Sequence, residues 1–498
     1  MKRVLFAAGL VVILSIYAAP VRAFETSPIG WASVADTNGT PYDVNGGEGG
    51  TVVTVTDDAN FIYYASTTSS SAKYIIQVLG TITLPGPPHV TNVKSNRSVI
   101  GIGSNPTIYG SLKISSGYSN IIIRNLNINY NGAEGSSDPC TDGISIQGGA
   151  HNIWIDHCNL YNSPDGLIDM TDQSDFITVS WCKFYYEAGI YNTAHHFTNL
   201  IGGDDEDYDD RGKLNITMHH NWWGSGCKER MPRVRFGHVH VFNNYYSNLV
   251  SGGYCVGVGV DCNILLENNY FYGPLTAWKN YSGTPQTGRI GWNTGATGNQ
   301  FVSCSIPSGW TNYYATMFVP PYSYTMDSGA SINTIVQNGA GTNKLNPSPN
   351  PMTFSVAPYG LDSHSIAMTA TTATCADGVE YFFDCTTPGG HDSGWQDSNS
   401  YTDTSLTPDT NYTYTVQARN QTQPLFVGAA SSPASATTLL YCTSPITSDF
   451  DDNCQVDFFD YAILADEWVG DQLDWLDMQE LAEDWLTCNR DPSSECWQ

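Results

Sequence analysis

Six segments in the middle of the chain share one pattern: NIIIRNLNI (120–128), NIWIDHCNL (152–160), FITVSWCKF (176–184), NITMHHNWW (215–223), HVHVFNNYY (238–246) and NILLENNYF (263–271). Their starts are 32, 24, 39, 23 and 25 residues apart. Each unit opens on a polar or aromatic residue, alternates apolar residues, carries a polar pair and closes on large apolar residues. A nearly fixed period of short strands without an amphipathic helix is the mark of a solenoid. At about 3.3 Å per strand residue, the 23- to 25-residue spacings fit one coil of three short strands and three turns, a parallel β-helix. One column of the repeat reads Cys158, Cys182, Asn221, Asn244, Asn269, and stacked Asn amides can hydrogen-bond from coil to coil. The longer gaps, near 130–142 and 198–213, read as insertions, which a solenoid gathers as loops on one face. A β-sandwich would explain the short strands but not the repeat.

The rest of the chain divides around this body. Lys2 and Arg3 precede the apolar run VLFAAGLVVILSIYAA, and Val21-Arg22-Ala23 fits a small-residue cleavage site, so residues 1–23 read as a secretory signal. No later stretch is long and apolar enough to span a membrane. The expectation is a secreted, extracellular protein, and 13 cysteines suit an oxidising compartment. Their number is odd, and their pairing does not follow from sequence. Residues 24–334 form the repeat body. Residues 335–351, rich in Pro, Gly and Asn, read as a linker. Residues 352–440 alternate like the strands of a small β-sandwich. Within them SLTPDTNYTYTVQARN resembles the fibronectin type III module, with Leu406, Pro408 and Tyr412 at a corner before a late strand.

Residues 441–498 carry 15 Asp and Glu against one basic residue, Arg490, half of the chain's net charge of −28. Such acidity argues against nucleic-acid binding. VDFFDYAILADEWV (456–469) and LDWLDMQELAEDWL (473–486) are two copies of one helical unit. Before the first, Asp449, Asp451, Asn453, Asp457 and Asp460 stand at positions 1, 3, 5, 9 and 12 of a loop with EF-hand spacing for Ca²⁺. The region resembles a dockerin-type module, which implies a cohesin-like or cell-surface partner. It departs in two ways: Cys454 stands where the sharp turn wants glycine, and the second copy lacks a full loop.

Two sets of residues point to chemistry. In a chain with 20 Lys and Arg against 48 Asp and Glu, Arg230, Arg233 and Arg235 fall within KERMPRVRFGHVHVFNNYY (228–246). Residues five apart on a straight strand face opposite ways, so Arg230 and Arg235 share a cleft only if the chain bends, as Pro232 favours. The second set is Asp142, Asp165 and Asp169, and clustered Asp oxygens are the ligands Ca²⁺ prefers. The plainer alternatives are a solvated basic edge for the arginines and ordinary Asp-Gly turns for Asp142 and Asp165.

Taken in order, WIDHCNL, DGLIDMTDQSDFITVSW and RMPRVRFGHVHVFNNYY resemble polysaccharide lyase family one, the pectate lyases, and GWAS, SVIGIG and NIIIRNLNI agree with it. The resemblance covers roughly residues 30–330. It implies a right-handed parallel β-helix that cleaves α-1,4-polygalacturonate (pectate) by β-elimination to 4,5-unsaturated oligogalacturonates. By position, Asp142, Asp165 and Asp169 match the family's calcium ligands, Arg230 the residue assigned as base, and Arg235 a substrate-binding arginine. Asp156 and His157 match an element read as structural support. The chemistry suits these types: removing the C5 proton builds charge on the adjacent carboxylate, which Ca²⁺ and arginine both stabilise.

One departure stands out. The family places a Lys or Arg just before a TxLIG-like segment, but here HHFTNLIGG (195–203) puts His195, His196 and Phe197 there. His196 is the expected substitute, a substrate contact whose charge depends on pH. A pectin lyase acting on methyl-esterified polymer would not need the three carboxylates. A hydrolase would use paired carboxylates and leaves RMPRVR unexplained. A non-catalytic polysaccharide-binding β-helix protein is the reading that the missing cation favours.

Overall fold

The computed structural model describes residues 25–86, 89–130, 142–190, 195–273, 275–375, 378–441, 448–450, 454–468, 475–485 and 487–488. The signal segment, Asp451 and Asn453 lie outside the described residues.

The repeat units pair in parallel in the register their alignment predicts. Ile121 lies beside Ile153, Ile153 beside Ile177, Ile177 beside Ile216, Ile216 beside Val239 and Val239 beside Ile264. Two faces of the solenoid run together as one 17-stranded sheet. The long strand Arg97–Tyr109 turns their shared corner, pairing with Ser119–Arg124 at one end and Asn127–Asn129 at the other. The third face is an eight-stranded sheet. The body is therefore a parallel β-helix, and one buried apolar cluster runs through its interior from Val55 to Ile290.

The polar pair in each repeat makes the corner. Its first members, Asn125, His157, Trp181, His220, Asn243 and Asn268, all have φ between 49° and 58°, the left-handed turn that asparagine tolerates best. The second members point inward and stack. Asn221 Nδ2 donates to Asn244 Oδ1 at 3.0 Å, Asn244 Nδ2 to Asn269 Oδ1 at 3.0 Å, and Asn269 Nδ2 to Asn299 Oδ1 at 2.9 Å. Cys158 and Cys182 continue this column as buried free thiols. Cys227, Cys255, Cys262, Cys304 and Cys385 are also free thiols, while Cys454 and Cys488 are disulfide-bonded. The large apolar residue that closes each repeat forms a second ladder, Phe184–Trp223–Tyr246–Phe271–Phe301, with ring centroids 4.4–5.4 Å apart.

The segment expected to be a linker is packed instead. Helix Ile332–Gly339 buries Ile332 and Val336 against Tyr245. Beyond it, Asn343 N donates to Asn125 Oδ1 at 2.7 Å, and Asn159 Nδ2 donates to Thr342 Oγ1 at 2.7 Å. The apolar and amide side chains in this Pro/Gly/Asn-rich stretch find partners on the solenoid wall, so composition alone misjudged it. Residues 354–437 follow as two three-stranded antiparallel sheets around one apolar cluster. Helices Phe458–Trp468 and Trp475–Asp484 come last. Among the described residues no helix is long and apolar enough to cross a membrane.

Candidate active site

The eight-stranded sheet gathers the sequence-predicted residues. Strands Ile144–Ile146, Ile168–Met170, Asn199–Ile201 and Arg233–Val234 are consecutive neighbours in it. Asp169 lies on the second of these, beside Ser145 and Leu200. Asp142, Asp165, Phe197 and Arg230 occupy the turns that lead into the four strands. Stacking thus brings together residues up to 93 positions apart, from Asp142 to Arg235.

Gly166 stands between two of the carboxylates. A Cβ there would lie 2.5 Å from Asp169 Oδ1 and 2.9 Å from Asp142 Oδ1, so only glycine leaves this space to the two oxygens. Asp142 Oδ1 accepts from Gly166 N at 3.0 Å and Asp169 Oδ1 from Leu200 N at 3.1 Å. Burial, then repulsion by Asp165, pushes the Asp142 carboxyl up to about 6, against the pull of Arg230. Burial and the Asp142 charge push Asp169 well up. Among the described residues no Lys or Arg forms an ion pair with Asp142, Asp165 or Asp169.

Crowded carboxylates without a paired cation suit a hard ion that takes oxygen ligands. Among the described residues, however, no three His, Cys, Asp or Glu side chains close into a ready cage.

The three arginines differ in what holds them. Arg235 is buried: its Nε lies 2.5 Å from Asp205 Oδ1 and its Nη1 donates to Gly202 O at 2.8 Å. A Cβ at Gly259 would meet its Cγ at 2.9 Å, so that glycine makes room for the side chain. Arg233 stacks on Tyr281, 4.2 Å from the ring centroid. Burial, then the charges of Arg235 and Arg230, lower its guanidinium below the usual arginine range. Arg230, at φ 63°, is only partly buried. Its guanidinium carbon lies 3.9 Å from the Phe197 ring centroid, and among the described residues it makes no side-chain hydrogen bond or ion pair.

His196 does not take the place expected of it. It is 4 % exposed, with Nδ1 at 2.7 Å from Gly226 O, Nε2 at 2.9 Å from Ile190 O, and its ring stacked on Tyr186 at 4.3 Å. Both ring nitrogens are engaged by carbonyls inside the wall, so this side chain is not offered to a substrate. The next residue, Phe197, is the one beside Arg230. Sequence reasoning also missed Asp205, whose acidic loop looked like an undifferentiated insertion.

Asp156, at the end of strand His151–Asp156 in the 17-stranded sheet, and His157 after it are fully buried. Asp156 Oδ2 is 2.6 Å from Arg124 Nε and 2.6 Å from His157 Nδ1, and its Oδ1 accepts from Ser180 Oγ at 2.6 Å. Burial alone would raise this carboxyl, but the His157 and Arg124 charges and these hydrogen bonds hold it down at about 2.

At the C-terminal end, Cys454 adopts φ 65°, the left-handed turn for which glycine was expected. Asp449 Oδ2 accepts from Cys454 N at 2.6 Å. Asp460 accepts from Phe450 N at 2.7 Å and Asp457 N at 2.8 Å, and Asp457 Oδ1 from Phe459 N at 2.7 Å. These carboxylates fold the loop on itself.

Comparison with known proteins agrees with this geometry. The family model described as pectate lyase matches residues 3–345. A pectate trisaccharide-lyase of Thermotoga maritima is 34% identical over 376 residues, covering 69% of this chain and 96% of that protein. A pectate trisaccharide-lyase of Bacillus licheniformis is 35% identical over 318 residues, covering 61% and 84%. A Bacillus pectate lyase solved in complex with trigalacturonate covers 63% of this chain and 98% of its own, at 28% identity and a TM-score of 0.50. The repeat body, the carboxylate group and the arginine segment all fall within the matched residues, and the chain belongs to the pectate lyase family.

Proposed function

We propose that the chain is a secreted, calcium-dependent pectate lyase that cleaves α-1,4-polygalacturonate by β-elimination to 4,5-unsaturated oligogalacturonates. The observation that carries this reading is the pairing of Asp142 and Asp169 across Gly166 on the same sheet face as an unspent Arg230. A polyanion needs cationic contacts, and the reaction needs a base beside a group that stabilises a charged carboxylate. Calcium, when held by Asp142, Asp165 and Asp169, supplies a Lewis acid for the uronate carboxylate. Arg230, as the neutral guanidine, takes the C5 proton and becomes the guanidinium. Arg233 and Arg235 hold positive potential over the carboxylate as the C5–H electrons form the C4–C5 double bond, the C4–O bond breaks, and the departing 4-O-glycoside takes a proton from water. The carboxylate group counts against the pectin lyase reading, which gives it no task.

The same reading extends to the other modules. Residues 352–440 are proposed as a fibronectin type III-like domain. In support, Tyr412 Oη accepts from Thr407 N at 3.0 Å, five residues upstream, before strand Asn411–Asn420, the tyrosine-corner arrangement. Residues 441–498 are proposed as a dockerin-like module for a cohesin-like or cell-surface partner, with Ca²⁺ at Asp449, Asp451, Asn453, Asp457 and Asp460. The exposure of Phe458 and Phe459, 76% and 70%, supports it.

The test is ultraviolet absorbance of the purified enzyme mixed with polygalacturonate, with added Ca²⁺ or excess chelator. The unsaturated product absorbs, so a rise with Ca²⁺ and none with chelator is expected. Reducing sugar without absorbance would point to hydrolysis, and binding without either to a non-catalytic protein. Full activity in chelator would refute calcium dependence.

A further inference from the structure

We propose that Phe197 is a positioning residue for Arg230: its ring lies against the face of the guanidine group in the cleft and leaves that group's nitrogen edge for the substrate. This rests on the reading that Arg230 works at the reacting centre.

A guanidinium beside a polyanion site must be held still without being consumed. Hydrogen bonds to carboxylates or carbonyls hold it but use its donors, as Asp205 and Gly202 do for Arg235. A ring face attracts the cation through its quadrupole and leaves the N–H edge free. Arg230 is held in the second way. Its guanidinium carbon is 3.9 Å from the Phe197 centroid, and no described residue takes a hydrogen bond from the side chain.

The platform itself is fixed. Phe197 N donates to His195 O at 2.9 Å, Phe197 O accepts from Tyr186 Oη at 2.6 Å, and the residue bridges to Glu229 in parallel. The backbone of Arg230 is fixed too, because its carbonyl accepts from Asn199 N at 2.7 Å and from the Thr198 hydroxyl. Ring and arginine thus sit on adjacent coils, with only the arginine side chain left to orient.

The experiment compares Phe197→Leu, Phe197→Tyr, Phe197→Met and Arg230→Ala for kcat, KM and thermal midpoint on polygalacturonate. Loss of the ring face should lower kcat about tenfold, within the range of a desolvated cation–π contact, with KM changed by less than about threefold. Phe197→Tyr should hold kcat within about threefold, because its ring face is retained. Phe197→Met, which fills the space without a ring face, should lose about as much as Phe197→Leu. If Phe197→Leu does not fold, the contrast of Phe197→Tyr with Phe197→Met carries the test. Wild-type kcat in the Leu or Met variant, or equal loss in Leu and Tyr, would overturn the inference. Wild-type kcat in Arg230→Ala would instead overturn the assignment of Arg230 on which it rests.

Discussion

Asp142 and Asp169 show how one residue type takes opposite roles in different surroundings. Asp156, ringed by Arg124, His157 and Ser180, is held ionised deep in the wall. Removing its charge leaves Arg124 unpaired, and breaking such a buried pair costs about 3–5 kcal/mol. Asp156→Asn is therefore expected to lower stability by that order in denaturant unfolding, and a loss under about 1 kcal/mol would contradict the role. Asp142 and Asp169 have raised carboxyls, so the folded state binds their protons more tightly than the unfolded chain does. That stabilising contribution is full below 3.8, the usual carboxyl value, and is lost as pH rises through about 6 and beyond. Without calcium, the protein should lose roughly 3 kcal/mol from Asp142 between acidic and alkaline pH, and Asp169 adds to the loss in the same direction. Asp169→Asn should flatten that slope while abolishing cleavage. Equal pH slopes for the two proteins in chelator, read from unfolding midpoints, would show that the pair is not a source of strain.

At the scale of the element, the coil corner is the unit the repeat encodes. A left-handed residue turns the chain, and the next side chain stacks inward. Asn244 sits mid-ladder with both amide groups used: it receives from Asn221 and donates to Asn269. Asn244→Ala would orphan Asn221 N, which donates to Asn244 Oδ1 at 2.8 Å, whereas Asn269 Oδ1 keeps the Asn244 backbone N–H at 2.9 Å. A cost of about 1–3 kcal/mol per unsatisfied group follows, and it should be read as a lower midpoint in denaturant unfolding without a change of kcat in the surviving folded protein. Asn244→Ala with wild-type stability would mean that the ladder only accompanies the stack of coils. The Tyr412 corner is a smaller device of the same kind. Tyr412→Phe removes one hydrogen bond to Thr407 N and should cost about 1 kcal/mol.

Across the whole molecule, the domain after residue 351 is docked rather than tethered. Arg124 Nη1 donates to Gln423 Oε1 at 2.8 Å, its guanidinium lies 5.3 Å from the Phe426 centroid, and Phe426 packs with Ile100 and Leu345. None of these residues touches the cleft carboxylates. A chain ended at residue 351 should still cleave soluble polygalacturonate, but with a thermal midpoint lowered by a few degrees as Ile100 is uncovered. A chain ended near residue 340 should fall further, because it also loses Thr342 and Asn343 from the wall. An unchanged midpoint for the shorter chains would show that the docking contributes no stability. A folded but inactive product would show that the domain serves catalysis.

The period of the repeat determined the coil, its register and the stacked Asn column, because each of these is a local pattern copied from one turn to the next. Order along the chain also placed Asp142, Asp169, Arg230 and Arg235 on one face, since stacking converts a repeat offset into a spatial neighbour. What only the tertiary structure decided were choices between adjacent side chains and contacts outside the period. His196 and Phe197 are neighbours in sequence, yet one turns into the wall to meet two carbonyls and the other lies under Arg230. Asp205 reaches Arg235 from an insertion that no repeat describes. Residues 335–351 look like a linker by composition and behave as a strap. Their partners lie on coils more than 100 residues earlier, and no local rule of the chain carries that information.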